Sequence, residues 1–206
     1  MPGPKTSYHH GDLTRALVAV ATEMAEEGGP DAVVLREAAR RTGVSATAAY
    51  RHFEGQEDLL AHVAASAMAD LSQWIQTAQA RVPDGRDPRR RAIARWRAAG
   101  DAYVRFALAH PGLFRTAFSC IGQVALPMRD GRPEADPYQL LCDSLDDCVE
   151  VGALTPRGRV HADQLAWIGV HGLSVLALDG LVPTEGPLLE ALLGRELDLL
   201  TQILDG

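Results

Sequence analysis

Apolar residues return at intervals of three and four along almost the whole chain, and no stretch of apolar/polar alternation breaks the pattern. This periodicity leaves an all-α fold as the architecture the sequence can satisfy. Leu13, Leu17, Val20 and Met24 lie on one helical face behind Asp12, a predicted N-cap, and Glu26-Glu27-Gly28-Gly29-Pro30 ends that helix near Gly28. A second helix is predicted over Leu35–Thr42, closed by Gly43, a residue suited to leaving a helix through the left-handed region. Ser45 then caps a third helix, from Ala46 to about His52.

From Gln56 onward, Leu60, Val63, Ala67, Met68, Leu71, Trp74 and Ile75 keep helical spacing to about Ala80. The turn-forming segment Val82-Pro83-Asp84-Gly85-Arg86-Asp87-Pro88 follows, and Asp87 as N-cap with Pro88 in first position opens a fifth helix ending at Ala109. A short sixth helix, Gly112 to Phe118, precedes an irregular stretch containing Pro127, Gly131, Pro133 and Pro137. Helices over Tyr138–Val151, His161–Leu181 and Glu185–Leu204 complete an expected set of about nine. The expected organisation is an arm with a three-helix head, residues 1–55, followed by a helical domain, residues 56–206.

The 20 basic and 27 acidic residues give a net charge of −7, which taken whole argues against a protein that coats nucleic acid or an anionic membrane. The charge is unevenly spread. Residues 1–53 carry six bases and six acids, whereas residues 54–206 carry 14 bases and 21 acids, the entire excess. Between Val33 and Arg51, Arg36, Arg40, Arg41 and Arg51 stand against Glu37 alone, a local +3. A basic patch on a neutral head is therefore available for phosphate.

The short second and third helices around Gly43-Val44-Ser45 have the layout of a helix-turn-helix, with Ala38 and Ala39 small enough for close helix contact. Gly43-Val44-Ser45, Tyr50-Arg51-His52-Phe53, the charged turn after it and Leu59-Leu60 closely resemble the head of the TetR/AcrR family of one-component transcriptional regulators. The match covers about fifty residues. The arm Tyr8-His9-His10-Gly11-Asp12-Leu13, His110-Pro111-Gly112-Leu113-Phe114 and Trp167-Ile168-Gly169-Val170-His171-Gly172 resemble the branch of that family with a WHG-type C-terminal domain. The resemblance implies a helix-turn-helix DNA-binding head, a C-terminal ligand cavity and a homodimer formed by the last two helices. It also favours repression of a pseudo-palindromic operator.

On that resemblance Tyr50 and His52 contact the DNA backbone, which suits their chemistry, because a phenol and an imidazole each donate to a phosphate oxygen. Arg36 matches a family position that touches phosphate or a base edge. Ser45 starts the helix that would enter the major groove, and Ala46, Thr47 and Ala48 are the base-facing candidates, short enough for close approach and for contact with thymine methyls. Arg51 adds to the basic patch. Gln56 stands where many members carry Lys; its amide and the helix N-terminus can still hold phosphate, with one charge fewer and a shallower expected salt dependence. Lys5, Tyr8, His9 and His10 form an arm that could enter the minor groove, with a flexible segment as the plainer expectation.

In the C-terminal part, Ala166–Leu178 is apolar nearly all round yet shorter than the ~20 residues of a membrane span, and reads as a helix buried on more than one side. The last helix carries more leucines than one core stripe needs. Together these two helices suit a dimer interface, with Gly169 and Gly172 allowing close approach. Trp96, Tyr103, Phe114, Phe118, Met128, Trp167 and His171 are the candidates for lining a lipophilic effector pocket, against ordinary core roles for the same residues. The run Arg89, Arg90, Arg91, Arg95 and Arg97 reads as a solvated helix face, although cations at a helix N-terminus oppose its dipole.

No Walker loop, GxSxG, HExxH or paired-cysteine site is present, and Asp143, Asp146 and Asp147 read as exposed charges, so neither catalysis nor a cofactor or metal is expected. Cys120, Cys142 and Cys148 form no CxxC and no secretory leader precedes them, which leads to the expectation of a reduced, cytoplasmic protein. The competing readings are a helical small-molecule binder whose head does not read DNA, and a regulator that activates.

Overall fold

The computed structural model describes residues 10–119 and 136–204, with side chains over 13–119 and 136–198. Met128, Cys120 and the arm residues Lys5, Tyr8 and His9, as well as the side chain of His10, lie outside these. Among the described residues the chain forms nine α-helices, one 3-10 turn and no strand.

The first three helices are α1 (His10–Gly28), α2 (Leu35–Thr42) and α3 (Ala46–Ala49), with the 3-10 turn Pro30–Ala32 between the first two. Helix α1 begins before Asp12, so Asp12 lies within the helix and is not its cap. Leu17, Ala21 and Met24 of α1 are buried, as are Val33, Leu35, Ala38, Ala39, Ala49 and Phe53. Helix α2 packs against both α1 and α3. Gly43 (φ 77°) donates to the Arg40 carbonyl and Val44 to that of Ala39, the paired bonds that close a helix through a left-handed residue.

Helix α3 is a single turn and stops three residues before His52. The N–H groups of Arg51 and His52 return to the carbonyls of Ala48 and Ala49, three residues back, and this tightening ends the α-helix.

The remaining helices are α4 (Gln56–Ala80), α5 (Pro88–Ala109), α6 (Pro111–Ser119), α7 (Pro137–Glu150), α8 (Ala162–Leu178) and α9 (Pro187–Leu204). The described residues up to Ala67 and those of α6 from Gly112 form one compact unit; Met68–Pro111 with residues 136–204 form the other. The sequence-based division assigns all of α4 to the C-terminal domain, whereas by packing its first half belongs with the head.

In the second unit α5 packs against α7, α8 and α9. Trp96 is buried in the same apolar cluster as Leu145, Cys148, Leu154, Ala162 and Ala166. A Cβ on Gly100 would stand 2.7 Å from Leu197 Cδ2, so the missing side chain admits α9 against α5. Helix α8 ends at Leu178, short of the expected Leu181, because Gly180 (φ 75°) and Leu181 donate back to Ala177 and Leu176. Helix α9 starts at Pro187 rather than Glu185, with proline in the first turn where its missing N–H costs nothing.

Candidate nucleic-acid interface and C-terminal polar cluster

The Ser45 hydroxyl accepts from the Ala48 N–H at 3.2 Å and so starts α3 at a fixed point after the turn. From that start Thr47 is exposed, Ala46 and Ala48 are half-buried and Ala49 is buried, so the helix offers a surface of two methyls and one hydroxyl. Tyr50 is 47% exposed, enough for its phenol to reach solvent while the adjacent Phe53 is buried. His52 is half-buried and its Nδ1 lies 2.9 Å from Thr14 Oγ1 of α1, a contact that fixes the ring's orientation. The sequence offered no sign of Thr14, since a hydroxyl on α1 acquires a role only when the turn after α3 folds against it.

The basic patch is smaller than the residue count suggests. Arg40 binds Glu37 through Nε at 2.8 Å and a second nitrogen at 2.7 Å, while Arg41 reaches Glu37 at 3.1 Å and Glu27 at 3.2 Å. Hydrogen bonds from Arg40 and Arg41 hold the Glu37 carboxyl down at about 2, so it stays ionised at any physiological pH. Arg36 and Arg51 are exposed and have no ion pair among the described residues. They are the cations of the patch that phosphate would meet first.

At the start of α4, Gln56 is exposed, but the Glu54 N–H is taken by the Asp58 carboxylate at 3.0 Å. Glu57 and Asp58 give the first turn of α4 a negative face. An anion approaching Gln56 therefore meets two carboxylates as well as the helix N-terminus.

Of the candidates for an effector pocket, the structure brings together Tyr103, Trp167 and His171. The Tyr103 hydroxyl lies 2.8 Å from His171 Nδ1, and the Trp167 ring stacks on His171 with centroids 5.0 Å apart. Burial drives the Tyr103 phenol well above its ordinary value, with a hydrogen bond from Trp167 opposing it, and burial pushes the His171 imidazole below its own. The trio is thus uncharged at neutral pH, a polar chain between α5 and α8. Trp96 belongs instead to the apolar core, and Phe118 pairs with Phe114 on α6, ring centroids 4.9 Å apart, in the other unit.

Three further expectations need correction. The arginines after Asp87 are not simply solvated: Arg89 donates to the Gly152 carbonyl, Arg90 pairs with Asp87, Arg91 with Asp84, Arg95 with Asp147 and Arg97 with Asp198. Asp84 and Asp87, just before α5, thus offset Arg91 and Arg90 in its first turn, while the distant Asp147 and Asp198 meet Arg95 and Arg97 further along. Asp146 likewise is not a loose charge but accepts from Arg159 at 2.7 Å. Gly169 does not face outward, since a Cβ there would stand 1.9 Å from the Glu196 carboxylate of α9, whereas Gly172 has open space.

Sequence reasoning missed the polar core of the second unit. Arg159 also donates to Asp163 at 2.9 Å, and the Tyr138 hydroxyl donates to the other oxygen of that carboxylate. Burial pushes the Asp163 carboxyl up, but the hydrogen bonds from Tyr138 and Arg159 outweigh it and the net shift is downward. Asp163 sits one residue into α8, and only the packing of α7 beside α8 brings Tyr138 to it.

A helix-turn-helix head with an exposed α3, joined to a second helical unit, defines a DNA-binding transcriptional regulator. Residues 17–63 match the family of bacterial regulatory proteins named for tetR, and residues 96–200 match the tetracyclin repressor-like C-terminal domain. The chain belongs to the TetR family. It is 25% identical over 182 residues to the uncharacterized HTH-type transcriptional regulator YobS of Bacillus subtilis (strain 168), covering 88% of this chain and 87% of that one. A solved structure of a protein with unknown function from Rhodococcus sp. RHA1 superposes with a TM-score of 0.68 at 27% identity, over 98% of this chain and all of that one. A TetR family transcription regulator from Marinobacter aquaeolei VT8 shares the fold at 19% identity, with a TM-score of 0.61 over 90% of this chain and 93% of the other. No helix among the described residues is long and apolar enough to cross a membrane.

Proposed function

We propose that the protein is a ligand-responsive homodimeric repressor in which Arg36, Ser45, Ala46, Thr47, Ala48, Tyr50, Arg51 and His52 meet the operator, with Gln56 at the edge. The observation that carries this reading is the exposed α3 surface flanked by Arg36 and Arg51, the two arginines of the patch not engaged by Glu37. The short apolar side chains of α3 offer little bidentate base recognition. Specificity then draws on Arg36, the arm and DNA shape. Selection of bound sequences from a random DNA pool tests this. Arg51→Ala is expected to weaken all selected sequences alike and to flatten the log–log salt slope by about 2 per dimer, one phosphate contact per subunit. Altered preference at Thr47→Ala or Arg36→Ala supports base readout by those side chains; unchanged preference at both refutes it, and no selected site at all favours a binder that does not read DNA.

For the dimer, Leu165, Ile168 and Leu176 of α8 are 46%, 59% and 44% exposed, and Leu188 and Leu192 of α9 are 54% and 39% exposed. The three on α8 lie at helical spacing on one face with Gly172 between them, an apolar stripe that suits the same stripe of a second copy. Such a two-fold pairing presents two heads to a pseudo-palindromic site. Ile168→Asp with Leu176→Asp is expected to give a monomer in sedimentation at micromolar concentration and to abolish cooperative operator binding. A dimer that survives both changes removes α8 from the interface.

The effector reading rests on the uncharged Tyr103–His171–Trp167 chain, which suits a neutral, largely apolar molecule with one hydrogen-bonding group. Helix α4 belongs to both compact units and is the natural element for ligand-linked change. Ligand must favour the conformation that DNA disfavours, so ligand affinity measured with and without operator must differ.

A further inference from the structure

The second unit contains a cleft of about 600 Å³ bounded by the last turns of α4, the loop after it, the first turns of α5 and Leu140 of α7. Its volume falls in the range of small-molecule sites. It is distinct from the Tyr103–His171–Trp167 cluster, none of whose members lines it. Arg81, Arg91 and Arg95 line it, against one carboxylate, Asp84. This surplus is unexpected in a segment whose total charge is strongly negative. A concave wall with a net positive surplus concentrates anions.

The pairing of these arginines is graded. Arg91 is committed to Asp84, whereas Arg95 reaches Asp147 only at 3.8 Å, beyond a hydrogen bond. Arg81 is exposed and has no partner among the described residues. Arg91 and Arg95, one turn apart, project from the same face of α5, near its N-terminus. The Asp87 carboxylate already accepts from the Arg89 and Arg90 N–H groups at that helix end, so an anion in the cleft draws on the guanidinium groups themselves. At the cleft wall Gln79 is 7% exposed and fixed in place by donating to Ser144 Oγ at 2.6 Å. Its amide is held at the cleft wall by that contact.

We infer that this cleft is a second ligand site, for a small anion bearing two or more negative charges, a polycarboxylate or a phosphate ester. Arg81 and Arg95 supply the guanidinium forks, while Arg91 stays paired with Asp84.

The full-length protein titrated calorimetrically with citrate, and separately with inorganic pyrophosphate, at ionic strength held constant with sodium chloride tests the inference. Saturable binding with a stoichiometry of one per chain is expected. Arg81→Gln and Arg95→Gln should each weaken it at least about tenfold, the loss of one charge-assisted hydrogen bond. Arg157→Gln, on an exposed turn outside the cleft, should leave it unchanged. Circular dichroism and melting of each variant report folding, and Arg81 is exposed enough for its replacement to leave both unaltered. Absence of saturation with both anions, or equal weakening by Arg157→Gln and Arg81→Gln, overturns the site.

Discussion

Arg159→Ala is expected to lower the unfolding free energy by about 3 kcal/mol, the cost of leaving a buried carboxylate without its cation. Arg159 joins Asp146 of α7 to Asp163 of α8, with the Arg159 and Asp163 side chains only 19% and 11% exposed. In the intact protein the Asp163 carboxyl lies below its ordinary value, so its contribution is present above the unfolded-state value and is lost as pH falls through the lower folded-state one. Removing Arg159 leaves burial opposed chiefly by Tyr138, and the carboxyl then titrates higher. The variant should recover part of its deficit as pH drops from 7 toward about 4, because protonation relieves the buried charge. Urea unfolding of both proteins at the two pH values measures this. A deficit that is constant with pH, or below about 1 kcal/mol, assigns Arg159 the role of an ordinary surface pair.

Gly112→Ala should be at least as costly, at about 3 kcal/mol or more, and its effect should appear in the head. A Cβ on Gly112 would stand 2.1 Å from the Ala25 carbonyl oxygen and 2.6 Å from that of Glu26. Both obstacles are backbone at the end of α1, so no side-chain rotation accommodates the methyl. Because α1 supports α2 and Thr14 holds His52, displacement of α6 from α1 should weaken DNA binding along with stability. The informative comparison is Gly169→Ala, whose Cβ would meet only the flexible end of Glu196 and should cost far less. Equal melting temperatures for the two variants would contradict the assigned role of Gly112.

These two sites were differently visible in advance. Gly112 lies in a stretch that resembles other family members, yet nothing in the sequence indicates that its hydrogen faces the carbonyls of α1. Arg159, in the turn before α8, and Asp163 are four apart, a spacing that suggests a local pair, but Tyr138 and Asp146 join it only through the packing of α7. The helix-turn-helix was legible because its determinants are local. Gly43 ends α2, Ser45 starts α3, and each acts within four residues. The exposed surface of α3 follows from that start alone.

The charge of the head illustrates the limit. Counting residues gives four arginines against Glu37, but Glu27, a full helix away in sequence, also takes part, and two of the four are committed to carboxylates. The arginines of α5 show the same effect, with partners at Asp147 and Asp198 that no window of the sequence connects to them. The candidate pocket divides for a related reason. Trp96 and Tyr103 share α5, but the first meets α7 and the second meets His171, while Phe118 lies in the other compact unit.

What the sequence determined by itself was the all-helical class, the helix-turn-helix and the family, since periodicity, capping and turn chemistry act over distances shorter than one helix. Tertiary structure decided which charges are neutralised, which aromatic residues share a site, and that the apolar surplus of α8 and α9 leaves an exposed stripe. Those properties depend on side chains meeting across helices, and the energy of such a meeting is set by position in space.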